Sequence, residues 1–375
     1  MQNIQFFDNY LKNSDIENII NNIIKNDNIQ LNDVINLLET KDIQHLGFVS
    51  NYLREQLYGK TVTFINNLIL NYTNVCITYC KFCAFYRPPN HYESYIVSKD
   101  EILNRIIFAK ANFNIKQVLF QGGHNPKLNI EYYEEVFRTV KGKCPDVAIH
   151  GLSASEIDMI SKVNRSSTLE VLQRLKEAGL VTLPGAGAEI LDDDVKKVIS
   201  PLKISSDTWL RIMEEAHNLD IKSSATMMYG TIETIEQRAR HLLKILNLQR
   251  KTKGFMAFIP WSFEPNKTEI QDKGVVNYPL GGFELLKMIS VSRIIFNGLI
   301  DHLQSSWLTN GVGMAQLAIF HGSDDFGGTL IGEEVVSATG ARSTELLASN
   351  IINSIKAMNF IPAERNNNYE IIKQY

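Results

Sequence analysis

Val62-Thr63-Phe64-Ile65-Asn66-Asn67-Leu68-Ile69-Leu70 runs through Asn71-Tyr72-Thr73-Asn74-Val75 into Cys76-Ile77-Thr78-Tyr79-Cys80-Lys81-Phe82-Cys83. The first part is an apolar run of strand length, the kind that suits a parallel strand covered on both faces. The last part sets three thiols in a C-x3-C-x-aromatic-C loop. Such thiolates can hold three corners of a [4Fe-4S] cube and leave the fourth iron open to a substrate or cofactor. Cys76, Cys80 and Cys83 are therefore the candidate metal ligands.

Other uses of cysteine fit less well. Structural zinc closes with four ligands, commonly two C-x2-C pairs or one such pair with two histidines, and this chain has a single C-x2-C. Ferredoxin runs use a different cysteine count and spacing. Four cysteines in 375 residues are too sparse for a disulfide framework. Cys144, far downstream, reads as an ordinary half-buried thiol.

Working outward, strands are expected at 62–70, 117–120, 147–150, 181–183, 223–228, 255–259 and 303–307. A weaker eighth unit runs through 325–330 into a last helix over 343–358. Helical patterns alternate with these strands, and Ser98-x-x-Glu101, Ser167-x-x-Glu170 and Thr234-x-x-Gln237 carry the signature of a helix start. Repeated βα units without a linker predict an α/β fold, a TIM-type barrel over residues 61–375. Residues 1–60 read as a helical cap: Ile16, Ile19, Ile20, Ile23 and Ile24 share a face behind Ser14-x-x-Glu17, with further helices near 31–38 and 43–57. In such a barrel the reactive groups sit in loops after the strands, so the cysteine loop belongs on that face. Gln121-Gly122-Gly123-His124-Asn125, Gly151-Leu152-Ser153, Pro184 to Glu189, Tyr229-Gly230-Thr231 and Pro260-Trp261-Ser262 are expected to converge there.

Hydrophobic residues make up 44% of the chain and charged residues 21%, with a net charge of −3, the balance of a globular protein with ample core. No basic block argues for nucleic acid. No apolar run approaches the roughly 20 residues of a membrane span, and the stretch opening Met1-Gln2-Asn3 lacks signal-peptide regions. A cytoplasmic location is the expectation, where free thiols and an oxygen-sensitive cluster survive.

The cysteine loop resembles the signature of the radical S-adenosylmethionine (radical SAM) superfamily. In that superfamily the methionine end of SAM chelates the open iron, and reductive cleavage releases a 5′-deoxyadenosyl radical. The resemblance implies a [4Fe-4S] cluster and SAM as cofactors, and an electron donor such as flavodoxin or ferredoxin. It places Phe82 near the adenine, Gly122-Gly123 at the methionine amino group and Glu189 at the ribose. Met228 falls in Thr226-Met227-Met228-Tyr229-Gly230-Thr231-Ile232-Glu233, which resembles the second half of the family's adenine-side motif. Thr226 stands where that motif has glycine. A Gly-Gly pair is also an ordinary turn, and paired methionines also fill cores.

The likeness extends through Gln121-Gly122-Gly123-His124-Asn125-Pro126, His150-Gly151-Leu152-Ser153, Gly185 to Leu191, Ile199 to Lys203, Ala257 to Trp261, Asp325 to Thr329 and Phe360 to Ala363. These segments resemble the branch that cyclises dehypoxanthine futalosine on the futalosine route to menaquinone. The resemblance implies hydrogen abstraction from ribose C4′ and ring closure onto the benzoate, followed by loss of one electron and one proton. Such a site needs a carboxylate anchor, for which Arg87 can supply a bidentate grip or simply brace the loop. It also needs a base, with His150 and Asp325 as leading candidates and His124 and Glu156 behind them. A lone histidine at a strand end is commonly hydrogen-bonded structure. His124, Tyr229 and Trp261 are candidate substrate contacts. Asp324 stands where the branch carries a neutral amide. The competing readings are a sister radical SAM enzyme, aminofutalosine synthase or the deazaflavin-precursor synthase, and a non-enzymatic iron–sulfur or zinc protein.

Overall fold

The computed structural model describes residues 10–12, 14–26, 29–341 and 344–375, and of residues 24–26 the backbone alone. The opening stretch from Met1 to Asp8, the side chain of Ile24, and Ser343 at the expected start of the last helix lie outside the described residues.

Three helices come first: α1 (Glu17–Asn26), α2 (Leu31–Glu39) and α3 (Ile43–Tyr58). Ile16, Ile20 and Ile23 are buried and share one core with Val34, Leu37 and the barrel. The Ser14 hydroxyl donates to Asp42 at 2.7 Å, and Asp42 itself caps α3. Ser14 therefore ties two helices together.

The expected first strand is two strands, β1 (Thr61–Ile65) and β2 (Asn67–Asn71), divided at Asn66. Polar anchors make the break. Asn66 donates to Glu364 at 3.0 Å, and the Asn67 side-chain oxygen accepts from the Leu330 N–H at 2.9 Å. Beyond them follow β3 (Gln117–Gln121), β4 (Ala148–Gly151), β5 (Leu180–Thr182), β6 (Ser223–Tyr229), β7 (Phe255–Ser262), β8 (His302–Leu303) and β9 (Asp325–Gly328). Three sheets, β2-β3-β4-β5, β6-β7-β8 and one in which β1 lies beside β9, carry the parallel ladders. Single parallel bridges, Leu183 to Ser223 and Gln304 to Asp325, join them into a closed ring, with Leu68 to Ile331 alongside. The result is a βα barrel, as the alternation of apolar runs and helical patterns implies.

The helices between the strands are α4 (Lys99–Phe113), α5 (Ile130–Lys143), α6 (Ala154–Asn164), α7 (Thr168–Ala178), α8 (Asp193–Ile199), α9 (Ser206–Asn218) and α10 (Ile235–Thr252). After β7 come α11 (Glu269–Asp272), α12 (Gly282–Phe296), α13 (Trp307–Asn310) and α14 (Val312–Phe320), and α15 (Ala348–Lys356) closes the set. Side-chain oxygens of Ser98, Asn129, Ser153, Ser167, Asp192, Ser205 and Thr234 accept first-turn N–H groups, so most helices leaving the loop face start on their own cap. Several boundaries differ from expectation, and β7 runs on to Ser262. The strand at 303–307 is only β8, because Ser306 turns left-handed (φ 54°) and starts α13. The last helix begins at Ala348 instead of 343. Cys144 is fully buried at the end of α5.

The far end of the barrel has an addition that the strand pattern did not reveal. β10 (Ile361–Arg365) lies parallel to β1, and β11 (Ile371–Gln374) pairs antiparallel to β10. The intervening turn reaches into the barrel. Asn367 meets Gln117 and Thr182, the Tyr369 ring stacks on His302 at 4.0 Å, and Arg365 pairs with Asp325 at 2.5 Å.

Candidate active site

A cavity of about 390 Å³ opens at the C-terminal ends of the strands, within the range of small-molecule sites. Cys76, Cys80 and Cys83 line it together with Phe82, Gly122, Gly123, His124, His150, Glu189 and Trp261.

The cysteine loop is held by backbone pairing. The Cys76 N–H donates to the Arg87 carbonyl (2.9 Å) and the Arg87 N–H to that of Asn74 (2.8 Å). The Thr78 hydroxyl lies 3.0 Å from Cys76 Sγ and 3.7 Å from Cys80 Sγ. Burial pushes the Cys80 thiol up to about 12 and raises Cys83, with the Lys203 charge opposing both shifts. Among the described residues, no three His, Cys, Asp or Glu side chains converge on a point suited to one metal ion.

Gly122-Gly123 has a packing duty. A methyl group on Gly123 would sit 2.2 Å from the Val75 carbonyl oxygen, and one on Gly122 2.8 Å from the Tyr72 ring. Side-chain-free positions let the cysteine loop dock on the end of β3, where the Gly123 N–H donates to the Thr73 carbonyl at 2.8 Å.

Glu189 lies on the cavity wall between two lysines, with Lys203 at 2.7 Å and Lys196 at 3.3 Å. Burial alone would raise this carboxyl; the two ammonium groups outweigh it and hold the group below its usual range. Lys203 also lies 5.5 Å from the Phe82 ring centre, joining the charged wall to the cysteine loop. His124 and His150 are both buried. Burial drives each down to about 3, helped at His124 by the Lys203 charge and at His150 by Arg365. Both imidazoles are neutral at pH 7.

Four residues singled out from the sequence do not line the cavity. Arg87 turns onto its own loop, donating to the carbonyls of Ala84, Phe85 and Tyr86 and to Glu93 at 2.6 Å. It braces the loop. Tyr229 alternates away from Ser224 and Thr226, which do face the cavity, and its ring lies under Arg238 of α10. Met228 is wholly buried, and its N–H donates to the Glu189 carbonyl. Asp325 accepts from Arg365, from the Thr63 hydroxyl at 2.6 Å and from the Gly327 N–H, so its carboxylate is absorbed by the barrel floor.

Glu156 lines the cavity, yet all of its bonds are structural. It takes hydrogen bonds from the Tyr72 hydroxyl, the Gly122 N–H, and the Ser153 N–H and hydroxyl. Ser153-x-x-Glu156 is a capping box, and that spacing was visible in the sequence. Lys196 and Lys203 were missed. Lys203 closes the motif that starts at Ile199, but only the fold brings it to Glu189. Asp324 is likewise structural: Arg293 (2.5 Å), His302 (2.7 Å) and the Leu303 N–H (2.8 Å) surround it. The Asp324 carboxylate is matched by an internal cation, Arg293.

A family model described as the radical SAM superfamily matches residues 70–245, and one described as the CofH/MqnC C-terminal region matches residues 252–375. The chain belongs to the radical SAM superfamily and is an enzyme of that superfamily, which implies a [4Fe-4S] cluster and SAM. It is 38% identical to cyclic dehypoxanthine futalosine synthase of Streptomyces coelicolor, covering 95% of this chain and 89% of that protein. The same enzyme of Halalkalibacterium halodurans is 35% identical, with 96% of each chain covered. A sister enzyme, the 5-amino-6-(D-ribitylamino)uracil–L-tyrosine 4-hydroxyphenyl transferase of Methanocaldococcus jannaschii, is 37% identical over 92% of this chain and 97% of its own. Among solved structures, methylornithine synthase superposes with a TM-score of 0.69 at 19% identity, covering 92% and 97% of the two chains. The hydrogenase maturase HydG does so at 0.73 and 17%, covering 96% and 79%. These two establish the barrel alone. Among the described residues no helix is long and apolar enough to cross a membrane.

Proposed function

We propose that the protein is a cyclic dehypoxanthine futalosine synthase of menaquinone biosynthesis. The observation that carries this reading is the wall built by Gln121, His124, His150 and Ser153. These residues come from the Gln-Gly-Gly-His and His-Gly-Leu-Ser segments that mark the cyclising branch, and they stand beside the three cysteines.

The donor set fits an open cluster. Cys76, Cys80 and Cys83 face one cavity from one loop, and the remaining cysteine, Cys144, is buried at the end of α5. Bound together, cluster and SAM supply the 5′-deoxyadenosyl radical that takes hydrogen from ribose C4′. Phe82 offers a flat face for the adenine. Glu189 offers carboxylate oxygens to ribose hydroxyls, and Lys203 is the cation placed to meet a methionine carboxylate. The benzoate ring then takes up C4′, and loss of one electron and one proton restores aromaticity. That electron balances the one consumed in cleaving the sulfonium, so SAM is the only oxidant the conversion requires. Trp261 and the other aromatic walls exclude water from the radical. Reduction falls to a flavodoxin or ferredoxin type of donor, and a cytoplasmic location fits an oxygen-sensitive centre.

The 37% identity to the hydroxyphenyl transferase favours a second reading, the deazaflavin-precursor reaction. Anaerobic incubation of reconstituted protein with SAM, dithionite and each substrate separates them. The cyclase reading expects consumption of dehypoxanthine futalosine alone. Turnover of tyrosine with the ribitylaminouracil, or of an enolpyruvyl substrate, overturns it.

A further inference from the structure

His150 is joined to the barrel floor by a chain of hydrogen bonds whose direction is fixed from its far end. A backbone N–H only donates, so the Leu330 N–H makes the Asn67 side-chain atom it meets (2.9 Å) the oxygen. The Asn67 amide nitrogen then donates to Gln117 Oε1 at 3.3 Å. Gln117 Nε2 in turn donates to Asn367 Oδ1 at 2.7 Å. With its oxygen turned inward, Asn367 receives the Thr182 hydroxyl hydrogen at 3.2 Å. A hydroxyl has one hydrogen, so Thr182 Oγ1 must accept from His150 Nδ1 at 2.7 Å. The Thr182 backbone carbonyl, also an acceptor, stands beside the same ring.

We propose that this relay locks His150 in the Nδ1–H tautomer and presents the Nε2 lone pair to the cavity as acceptor of the proton lost on cyclisation. The identity of that proton rests on the cyclase reading. The C4′–ring bond has formed, the ring C–H breaks, one electron leaves to balance sulfonium cleavage, and the proton moves to Nε2. Rearomatisation drives the loss, so a weakly basic nitrogen suffices. Thr182 and Asn367 are positioning residues, and Asn367 gives the C-terminal turn a part in the chemistry. Nδ1 is occupied by Thr182, while among the described residues no hydrogen bond engages Nε2.

Histidine-selective 15N NMR on the reconstituted full chain, with the His150 signals assigned by their loss in H150Q, tests the tautomer without any substrate. The expected result is a protonated Nδ1 and a bare Nε2. T182V and N367L are expected to shift His150 toward the Nε2–H form, and T182S to keep Nδ1–H. In the presence of dehypoxanthine futalosine, T182V and H150Q are expected to form 5′-deoxyadenosine while the ratio of cyclised product to 5′-deoxyadenosine drops at least tenfold. An Nε2–H tautomer in the unaltered protein overturns the proposal, as does an unchanged product ratio in both variants. Failure of the cyclase reading has a different mark: the unaltered protein makes no substrate-dependent 5′-deoxyadenosine, and the tautomer measurement still decides the relay.

Discussion

The two ends of this barrel handle buried charge in opposite ways. At the floor, carboxylates are spent on the chain itself: Asp325 on Arg365, and Asp324 on Arg293 and His302. At the mouth, thiols, Glu189, Lys203 and two neutral histidines face a cavity. Closed networks specify structure, and groups that keep free capacity toward a cavity do chemistry. Glu189 shows the mixed case, since two lysines hold it charged while it still lines the cavity. Asp325 is the contrast, an acid at a strand start whose oxygens are all engaged.

The comparison predicts that mouth variants lose activity and keep the fold, while floor variants lose the fold. The largest effect belongs to Cys80→Ala, and equally to Cys76→Ala and Cys83→Ala. SAM cleavage falls to the cluster-free background while the far-ultraviolet circular dichroism is unchanged. A variant that still cleaves SAM breaks the mouth half of the comparison. Arg365→Met comes next, leaving Asp325 buried without its partner. A loss of about 3–5 kcal/mol is expected in the urea unfolding of the protein. A loss below about 1 kcal/mol would mean that Asp325 is free for another role.

The floor was also the part least legible in the sequence. Cys76 to Cys83 announced itself through local spacing, and the strands through short apolar runs, because both signals lie within a few residues. Arg365 and Asp325 are forty positions apart, Asn67 meets Gln117 through the pairing of β2 with β3, and Asn367 reaches Gln117 from the turn after β10, which lies against β1. Asp325 therefore read as a free acid. Tyr229 was a different miss. The period of two along β6 sets it on the opposite face from Ser224 and Thr226, so parity alone could have turned it outward. Arg87 was undecidable from sequence, since gripping a carboxylate and bracing carbonyls call for the same guanidinium.

Smaller effects sharpen the boundary between the two ends. Gly123→Ala forces a methyl group into the Val75 carbonyl, and a loss of about 1–3 kcal/mol with reduced iron content on reconstitution is expected. Glu189→Gln weakens SAM binding about tenfold, near 1.4 kcal/mol, in equilibrium dialysis. Acid supplies the last test. His124, His150 and His241 are pushed down to about 3 and His217 to about 4, chiefly by burial. The unfolded chain binds these protons first, so their contribution is complete above the unfolded value of about 6.5 and is lost progressively as pH falls toward 3–4. The unfolding free energy from urea titrations should be flat from pH 7 to 8 and drop below about pH 6.5, by up to about 1.4 kcal/mol per histidine per pH unit.

The central claim is that the mouth aims a SAM-derived radical at one carbon of a futalosine-type ribose. Incubating the reconstituted enzyme with SAM, reductant and dehypoxanthine futalosine carrying deuterium at C4′ tests it directly. One deuterium should appear in 5′-deoxyadenosine for each molecule of cyclised product formed. Unlabelled 5′-deoxyadenosine, or no cyclised product, would contradict it.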